Sequence, residues 1–289
     1  MAELMRNHTT MRVGGPAEQY IEPNSEEDLI AGACEALRSG RQVFLLGNGS
    51  NVIVRDGGFA GAVFSTTSAL SGILIDMDEN TLRAGAGATL SSAARSAAKA
   101  GLTGLEELSG IPGTVGGAVL MNAGAYDRDI SGCVNKVRVY DLVDEKYIMF
   151  TNEACQFAYR TSIFKISAPR YLILDAEFSL AADEPEAISE RMEDFTRRRN
   201  ERQPVEWPSS GSFFKRPPGD FAARLIDEAG LKGYSVGGAQ ISPKHAGFIV
   251  NTGGATAADV LSLAEAVQAR VHERFGVNLE PEPVIIGDA

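Results

Sequence analysis

Three short stretches of the sequence hold side chains whose types could carry out chemistry. Arg160 stands in Y-R-T-S-I-F-K, a cation among apolar and aromatic neighbours. Ser212 lies in P-S-S-G-S-F-F-K between a glycine and two phenylalanines, which predicts a restricted, partly dry hydroxyl. Glu282 lies in L-E-P-E-P, ahead of an apolar V-I-I. Taken alone, each has an ordinary alternative: an exposed arginine, a serine in a turn and an acidic chain end.

The histidines and cysteines predict neither a metal site nor an activated nucleophile. No histidine is placed to activate Ser212 and no G-x-S-x-G motif occurs, so a nucleophilic triad is not expected. The histidines lack metal-ligand spacing, and we expect no metal. The cysteines are widely spaced without a C-x-x-C pair, which indicates buried or idle thiols in a reducing cytoplasm. These residues are His8, His245, His272, Cys34, Cys133 and Cys155.

The longest candidate binding segment is Ser109–Tyr126, S-G-I-P-G-T-V-G-G-A-V-L-M-N-A-G-A-Y, which is rich in glycine. Glycine allows positive φ and lets another molecule approach the backbone amides closely. Pro112 stiffens the entry to the segment by fixing its own φ. Such a segment suits a bound anion or a flat ring stacked against the main chain. The alternative is a mobile surface loop, against which the apolar V-L-M of the segment argues.

A second glycine-rich segment, Gly47–Asn51 (G-N-G-S-N), follows a predicted buried strand at residues 43–46. Successive amides of such a turn can point inward and hold an anion. The segment is not a dinucleotide fingerprint, because Val52 stands where the third glycine should be, and no Gly-Lys-Ser or Gly-Lys-Thr occurs. The sequence therefore predicts a phosphate-binding loop of another type.

The composition excludes several classes of protein. Of the 289 residues, 44% are hydrophobic, which is enough for a buried core, and the net charge of −11 argues against nucleic-acid binding. No segment approaches the roughly 18 to 20 consecutive apolar residues of a membrane span. Residues 1–20 lack the apolar core of a signal peptide, so we expect a cytoplasmic protein.

Hydrophobic periodicity and turn residues predict three α+β units, at residues 1–70, 71–189 and 190–289. Each unit mixes helices with strands. The first predicted helix is capped by Ser25 and ended by Gly40, and a helix of small residues ends at Gly101. A charged helix runs through Arg202, and a helix over 220–229 has Phe221 facing inward. A long helix over 256–275 begins with a capping box formed by Thr256 and Asp259. The predicted strands include a hairpin at 73–84, a pair over 137–150, and an alternating strand at 171–180 with Ile173 and Asp175 on its second face.

The motifs together resemble one enzyme family. They are G-N-G-S-N-V-I-V, S-G-I-P-G-T-V-G-G-A-V-x-M-N-A-G-A-Y, Y-R-T-S-I-F-K, S-G-S-F-F-K and G-A-Q-I-S-P-K-H-A-G-F-I-V-N, flanked by N-H-T-T-M-R-V-G-G-P-A and L-E-P-E-P-V-I-I-G. In this order, over nearly the whole chain, they resemble the UDP-N-acetylenolpyruvoylglucosamine reductases, also called UDP-N-acetylmuramate dehydrogenases. The short spacing from Arg160 to Ser212 is similar to the family's shorter type, which lacks substrate-clamping insertions. Arg216 stands where some members have Asn, and Pro283 stands where many members have Val.

The resemblance implies a fold, a reaction and a cellular role. The fold would be a two-subdomain FAD-binding fold of the vanillyl-alcohol-oxidase and p-cresol-methylhydroxylase type, with a C-terminal α+β substrate-binding domain. NADPH would reduce noncovalent FAD, and the enolpyruvyl ether of UDP-N-acetylglucosamine would receive a hydride at C3 and a proton at C2. The product, UDP-N-acetylmuramate, is a peptidoglycan precursor needed for cell shape and division. We expect a monomer that binds neither nucleic acid nor membrane.

The resemblance also implies roles for individual residues. Ser212 would donate the C2 proton, while Arg160 and Glu282 would stabilise the enolic intermediate. FAD would lie with its pyrophosphate on Gly47–Asn51 and its ring system against Ser109–Gly117. The implied cofactor-binding residues are Gly47, Asn48, Gly49, Ser50, Asn51, Ser109, Gly110, Ile111, Pro112, Gly113, Thr114, Gly116, Gly117, Asn122 and Gly124. The implied substrate-binding residues are Tyr159, Lys215 and Gln240.

Two other functions stay open from the sequence. One is another FAD-dependent oxidoreductase of the same fold that acts on an alcohol or a sugar. The C-terminal E-P-E motif favours the reductase over such an oxidase. The other is a flavin-binding or nucleotide-sugar-binding protein without catalysis, which the joint presence of Arg160, Ser212 and Glu282 disfavours.

Overall fold

The structure is a computed structural model that describes residues 3–288 and contains both helices and strands. Its helices are α1 (Glu26–Arg38), α2 (Leu90–Lys99), α3 (Val115–Met121), α4 (Ile163–Ile166), α5 (Pro185–Arg202), α6 (Ala222–Glu228) and α7 (Ala257–Phe275). Its strands are β1 (Glu3–Leu4), β2 (Pro16–Ile21), β3 (Gln42–Leu46), β4 (Val52–Val54), β5 (Phe59–Ser65), β6 (Ile73–Asp76), β7 (Thr81–Gly85), β8 (Leu102–Thr103), β9 (Gly124–Ala125), β10 (Arg128–Asp129), β11 (Val134–Asp141), β12 (Lys146–Thr151), β13 (Tyr171–Ser179), β14 (Ala181–Ala182), β15 (Ser209–Ser212), β16 (Ser235–Val236), β17 (Ala239–Ile241), β18 (Phe248–Asn251) and β19 (Val284–Ile286). The predicted α+β class is confirmed.

The chain forms two compact units, and each is built from separate stretches of sequence. Unit 1 contains the residues up to Glu18, Gly49–Ala60 and the chain from Arg199 onward, and unit 2 contains Gln19–Asn48 and Gly61–Arg198. The three domains predicted from the sequence, at 1–70, 71–189 and 190–289, stay a prediction.

Unit 2 is organised around an antiparallel five-stranded sheet in the order β12-β11-β13-β7-β6. The small residues of α2 and α3 lie in the same core as this sheet, which lets backbones approach closely. The core also takes in α1, and β3 pairs in parallel with β5 over residues 42–46 and 61–65. Phe64, Phe164 and Phe178 are among its largest fully buried side chains.

The central strand β13 is buried on both faces from Leu172 to Ala176. The alternation in its sequence predicted a second face separate from the apolar one, but Ile173 and Asp175 are only 6% and 7% exposed. Asp175 accepts hydrogen bonds from Arg83 Nε at 2.7 Å and Arg138 Nε at 2.6 Å. Arg138 also donates to Glu26 at the start of α1. Because a buried carboxylate is stable only when paired, these arginines explain how a charge lies in the central strand.

Unit 1 combines the antiparallel sheet β15-β18-β17-β16 with helices α6 and α7 in one hydrophobic core. Two of its pairings join residues far apart in sequence. Strand β19 pairs in parallel with β4, and Asp56 accepts hydrogen bonds from the amides of Ala257 and Ala258 at the start of α7. The early residues of the chain are therefore part of the same unit as its last strand.

The predicted helix ends are confirmed where capping residues mark them. Ser25 caps α1 by accepting from Asp28 N, and the Thr256–Asp259 capping box begins α7. The prediction for α6 is wrong at its start. Phe221 is not an inward residue but the N-cap, 55% exposed, with the Arg216 guanidinium 4.6 Å from its ring centroid.

Between residues 3 and 288, no helix is long and apolar enough to cross a membrane.

Candidate active site

The glycine-rich stretch contains a short helix that the sequence did not predict. Thr114 caps α3, and its hydroxyl accepts from Gly117 N at 3.4 Å. The helix ends at Asn122, whose φ of 43° lies in the left-handed region. Two adjacent glycines lower helix propensity, so the local sequence argued against a helix here. The apolar face of Val115, Ala118 and Val119, buried in the core of unit 2, outweighs that cost.

The two glycine-rich segments meet inside unit 2. Asn48 Nδ2 donates to the carbonyl of Pro112 at 3.2 Å. A Cβ atom on Gly47 would lie 2.3 Å from Thr114 Oγ1, closer than atoms can approach. The segments that the sequence assigned separately to an anion and to a flat ring are therefore in direct contact.

Several of these glycines are required by the protein's own packing. A Cβ on Gly49 would lie 2.1 Å from the carbonyl oxygen of His8, and its φ is +60°. A Cβ on Gly116 would lie 2.7 Å from that of Ala86. Bulk at either position disturbs the fold first, so loss of flavin there would not report on cofactor contact.

Unlike Gly49 and Gly116, Gly117 has room for a Cβ atom. It therefore tests whether the residues present fit FAD. It is exposed, and a Cβ there would meet only Thr114 Oγ1, at an ordinary 3.5 Å. The missing side chain leaves open backbone on α3 that a flat ligand can approach. Neither Gly47–Asn51 nor Ser109–Gly117 contains a charged side chain that would repel a pyrophosphate. The residues present therefore fit the cofactor.

Asn122 organises the residues that follow α3. Both amide hydrogens of Asn122 are used internally, with Asp129 Oδ2 and the Ala158 carbonyl at 3.2 Å each, and its Oδ1 accepts from Ser131 N. A hydrogen bond from this side chain to a cofactor would require breaking one of these. The geometry gives Asn122 a positioning role in the loop.

Arg160 is held against this loop. Its guanidinium donates to the carbonyl oxygens of Asn122 at 3.4 Å and Gly124 at 3.2 Å, and lies 5.1 Å from the ring centroid of the exposed Tyr159. Arg160 itself has a φ of 55°, and Lys165 Nζ donates to its carbonyl. A non-glycine residue in the left-handed region needs support from its surroundings, and these contacts supply it. Unit 2 thus brings Arg160 together with predicted cofactor-binding residues.

Ser212 and Glu282 come together in unit 1. Glu282 N donates to the carbonyl of Phe213, the residue after Ser212, at 2.9 Å. Asn51 Nδ2 donates to the Glu282 carbonyl at 3.4 Å. Lys215 lies in the same segment, and its Nζ is 3.0 Å from Glu280 Oε2. Backbone pairing therefore fixes the strand of Ser212 beside the segment of Glu282.

The prediction that the Ser212 hydroxyl is partly dry is wrong, because the residue is exposed. Strand geometry explains this, since Ser210 and Phe213 are the buried residues and Gly211 between them takes a φ of +78°. Gln240 lies on β17 in the same sheet, but its amide donates to the Gly233 carbonyl and the Ser235 hydroxyl. Its assignment to substrate binding stays a prediction.

Sequence reasoning missed Glu106, which holds the start of the glycine-rich segment Ser109–Tyr126. It is 4% exposed and accepts hydrogen bonds from Thr103, Gly104 N and Arg191. Burial alone would raise the pKa of Glu106, but these hydrogen bonds outweigh burial and lower it. The Glu106 carbonyl accepts from the Ser109 hydroxyl at 2.7 Å. The stretch L-E-E-L around Glu106 forms no known motif, so nothing local marked it.

Among the residues that the structure describes, nothing supports metal binding or thiol chemistry. No group of three histidine, cysteine or acidic residues is arranged to hold a metal ion there. Cys34, Cys133 and Cys155 are buried and unpaired with one another, and burial raises the pKa of Cys133 and Cys155 to about 12. Thiols with such pKa values are poor nucleophiles at neutral pH.

Comparison with known proteins decides the family. The FAD binding domain family matches residues 17–148, and the C-terminal domain family of UDP-N-acetylenolpyruvoylglucosamine reductase matches residues 203–286. The reductase of Caldanaerobacter subterraneus is 44% identical over 99% of this chain and 93% of its own length. The chain belongs to the UDP-N-acetylenolpyruvoylglucosamine reductase family. The reductase of Clostridium novyi is 45% identical over 99% of this chain and 91% of its own.

A solved structure of the family agrees with the fold. The crystal structure of UDP-N-acetylenolpyruvylglucosamine reductase from Thermus caldophilus covers 99% of this chain and 98% of its own, at 37% identity and a TM-score of 0.81. The predicted FAD-binding fold followed by a distinct C-terminal domain is confirmed. Family membership does not favour the alternative oxidase.

Proposed function

We propose that this chain reduces UDP-N-acetylenolpyruvoylglucosamine to UDP-N-acetylmuramate, with noncovalent FAD and with NADPH as the reductant. The reaction adds one hydride and one proton across the enol ether double bond and oxidises NADPH to NADP⁺. The observation that carries the proposal is the pairing of Glu282 N with the Phe213 carbonyl, which places the segment of Glu282 beside the strand that ends at the exposed Ser212. Identity of 44% over 99% of the chain with a named reductase supports it.

The chain's own residues would hold the cofactor through backbone. Gly47–Asn51 offers turn amides for the pyrophosphate, and Ser109–Gly117 offers the open face at Gly117 for the ring system. When bound, FAD supplies hydride transfer at its N5 position. Glu106 and the contact between Asn48 and Pro112 fix the two segments.

The substrate-side roles follow from charge and proton chemistry. Arg160 would pair with the substrate carboxylate, onto which negative charge moves as C3 receives hydride. Ser212 would donate the proton to C2, and its exposure allows water to return that proton. Glu282 would act with Arg160 on the enolic intermediate. Tyr159, Lys215 and Gln240 would contact the rest of the substrate.

We infer a domain organisation, a partner class and a location that complete this proposal. The domains are two FAD-binding subdomains at 1–70 and 71–189 and a substrate-binding domain at 190–289, which the family match at 203–286 supports. The partner is the UDP-sugar alone, with the protein acting as a monomer that binds neither nucleic acid nor membrane, consistent with the charge of −11. Three unpaired cysteines support a reducing, cytoplasmic location.

The absorption spectrum of the purified protein tests the proposal. We expect a flavin spectrum that NADPH bleaches and that UDP-N-acetylenolpyruvoylglucosamine restores without oxygen, with UDP-N-acetylmuramate formed in equal amount. Retention of flavin without restoration by this substrate would contradict the proposal. Anaerobic restoration by an alcohol-derived or sugar-derived carbonyl compound instead would favour an oxidoreductase of another specificity.

A further inference from the structure

We propose that Thr10 is a positioning residue that fixes the strand of Ser212 against the loop Gly49–Asn51. The proposal rests on the proposed function, because it assigns Thr10 a part in the step that uses Ser212. Thr10 lies in N-H-T-T-M-R-V-G-G, a motif to which the function so far gives no role. All the residues concerned belong to unit 1.

Thr10 bonds to both segments at once. Its hydroxyl donates to the carbonyl of Ser209, the first residue of β15, at 2.6 Å. Its backbone amide donates to the carbonyl of Gly49 at 3.2 Å. One residue therefore sets the separation between the proposed cofactor loop and the start of the strand that ends at Ser212.

The segment that carries Thr10 is itself held firmly. Met11 is fully buried, and its carbonyl accepts from Asn251 Nδ2 at 3.1 Å. The His8 carbonyl packs against Gly49 so closely that no side chain fits between them. Thr10 can therefore act as a fixed point and does not simply follow the strand.

The far end of β15 is connected to the same loop. Glu282 N donates to the Phe213 carbonyl, and Asn51 Nδ2 donates to the Glu282 carbonyl. The loop Gly49–Asn51 is thus linked through Thr10 to Ser209 and through Glu282 to Phe213. Hydrogen bonds therefore hold the strand at Ser209 and at Phe213, and Ser212 lies between these two points.

Strand β15 needs this support because its own pairing is irregular. Its register with β18 shifts between Ser209 and Ser212, and Gly211 between them takes a φ of +78°. The hydroxyl of Ser210 is buried and forms no hydrogen bond among residues 3–288. A bulged strand has fewer ladder bonds to fix its position. A shift of about 1 Å at a catalytic group costs on the order of 10² in rate.

The test compares three variants of the flavin-loaded protein. Thr10→Val removes the hydroxyl at nearly constant volume, and Thr10→Ser keeps it. Thr9→Val is the matched control, since the adjacent threonine also donates to a backbone carbonyl, but within its own turn. Stopped-flow absorbance measures flavin reduction by NADPH and reoxidation by the enolpyruvyl substrate separately. Hydrogen exchange of the peptide spanning residues 208–213 measures the strand without any activity.

We expect Thr10→Val to slow reoxidation about tenfold to a hundredfold while reduction stays within about twofold of wild type. Exchange in 208–213 should rise in the same variant. Thr10→Ser should restore both readouts, and Thr9→Val should leave the ratio of the two rates and this exchange unchanged, even if it lowers the melting temperature.

An unchanged rate ratio in Thr10→Val, equal slowing of both steps, or unchanged exchange at 208–213 would overturn the proposal. Loss of folding or flavin in both Thr10→Val and the smaller Thr10→Ala, with Thr9→Val intact, would make Thr10 purely structural and also overturn it. If the wild-type protein is not reoxidised by this substrate, the proposed function fails instead. The exchange result would then still decide whether Thr10 fixes the strand.

Discussion

Replacing Gly117 by alanine should change apoprotein stability and FAD affinity in opposite directions. Gly117 lies inside α3 without positive φ, and a Cβ there would meet only Thr114 Oγ1 at 3.5 Å. A glycine-to-alanine change at a compatible helical site stabilises by about 0.4–1 kcal/mol, mainly by restricting the unfolded chain. For a chain of this size that corresponds to a rise of roughly 1–4 °C in the melting temperature.

The same methyl group should weaken FAD binding. It would occupy the open face of α3 proposed for the cofactor, and overpacking a close contact costs about 1–3 kcal/mol. That loss corresponds to roughly 5-fold to 150-fold in the dissociation constant. A protein in which Gly117 is merely part of a helix would show the stability gain alone.

Gly116→Ala is the matched control, since its Cβ would lie 2.7 Å from that of Ala86. We expect it to destabilise the apoprotein by about 1–3 kcal/mol. The assay is FAD titration of flavin-stripped protein by quenching of flavin fluorescence, beside thermal unfolding of the same samples. Wild-type FAD affinity in Gly117→Ala, together with the gain in apoprotein stability, would refute the placement of FAD against Ser109–Gly117.

Three further predictions concern single side chains. Ser212→Ala should leave flavin reduction by NADPH near its normal rate while stopped-flow shows reoxidation by substrate slowed about 10² to 10⁴-fold, since only that step needs the C2 proton. Glu282→Gln should lower kcat and kcat/KM together in steady-state assays, as expected for a group acting in the transition state. Glu106→Gln should cost about 1.5–3 kcal/mol in chemical denaturation at pH 7. Because the folded pKa of Glu106 lies below its ordinary 4.5, this cost should be constant above pH 4.5 and shrink as pH falls through the folded pKa.

Each of these has an outcome that would count against it. Equal slowing of both half-reactions in Ser212→Ala would remove the serine from the proton-donor role and leave Lys215 or water. A raised KM at unchanged kcat would make Glu282 a binding residue only. A cost in Glu106→Gln that stays the same down to pH 3 would mean that its carboxylate charge contributes nothing to stability.

Local sequence signals predicted an element correctly where a single capping or turn residue determines it. The cap at Ser25 and the Thr256–Asp259 box set the starts of α1 and α7, because each side chain bonds its own first turn. The hairpin of β6 and β7 followed from its turn residues in the same way. The two glycine-rich segments were likewise predictable from their composition, although the contact between them was not.

Elements decided by distant packing were not accessible from the sequence. The helix α3 forms against local propensity, because the core of unit 2 buries its apolar face. Alternation places Asp175 on the second face of its strand, but its burial depends on Arg83 and Arg138, which come from other strands. The sequence motifs identified Ser212 and Glu282 as site residues. The backbone hydrogen bond from Glu282 to Phe213 could not be predicted, because no sequence pattern links these two segments.

The parallel pairing of β4 with β19 has a consequence for biosynthesis. Asn51 and Glu282 are 231 positions apart in the chain, and Asp56 caps a helix that begins at Ala257. A nascent chain that has emerged only as far as β18 has made all of unit 2 but lacks the partners of β4 and Asp56. Residues 49–60 must therefore wait, with β4 unpaired, until residues 257–286 have emerged from the ribosome. Unit 1 is therefore completed later in synthesis than unit 2, and in that interval the chain is most exposed to misassembly and proteolysis.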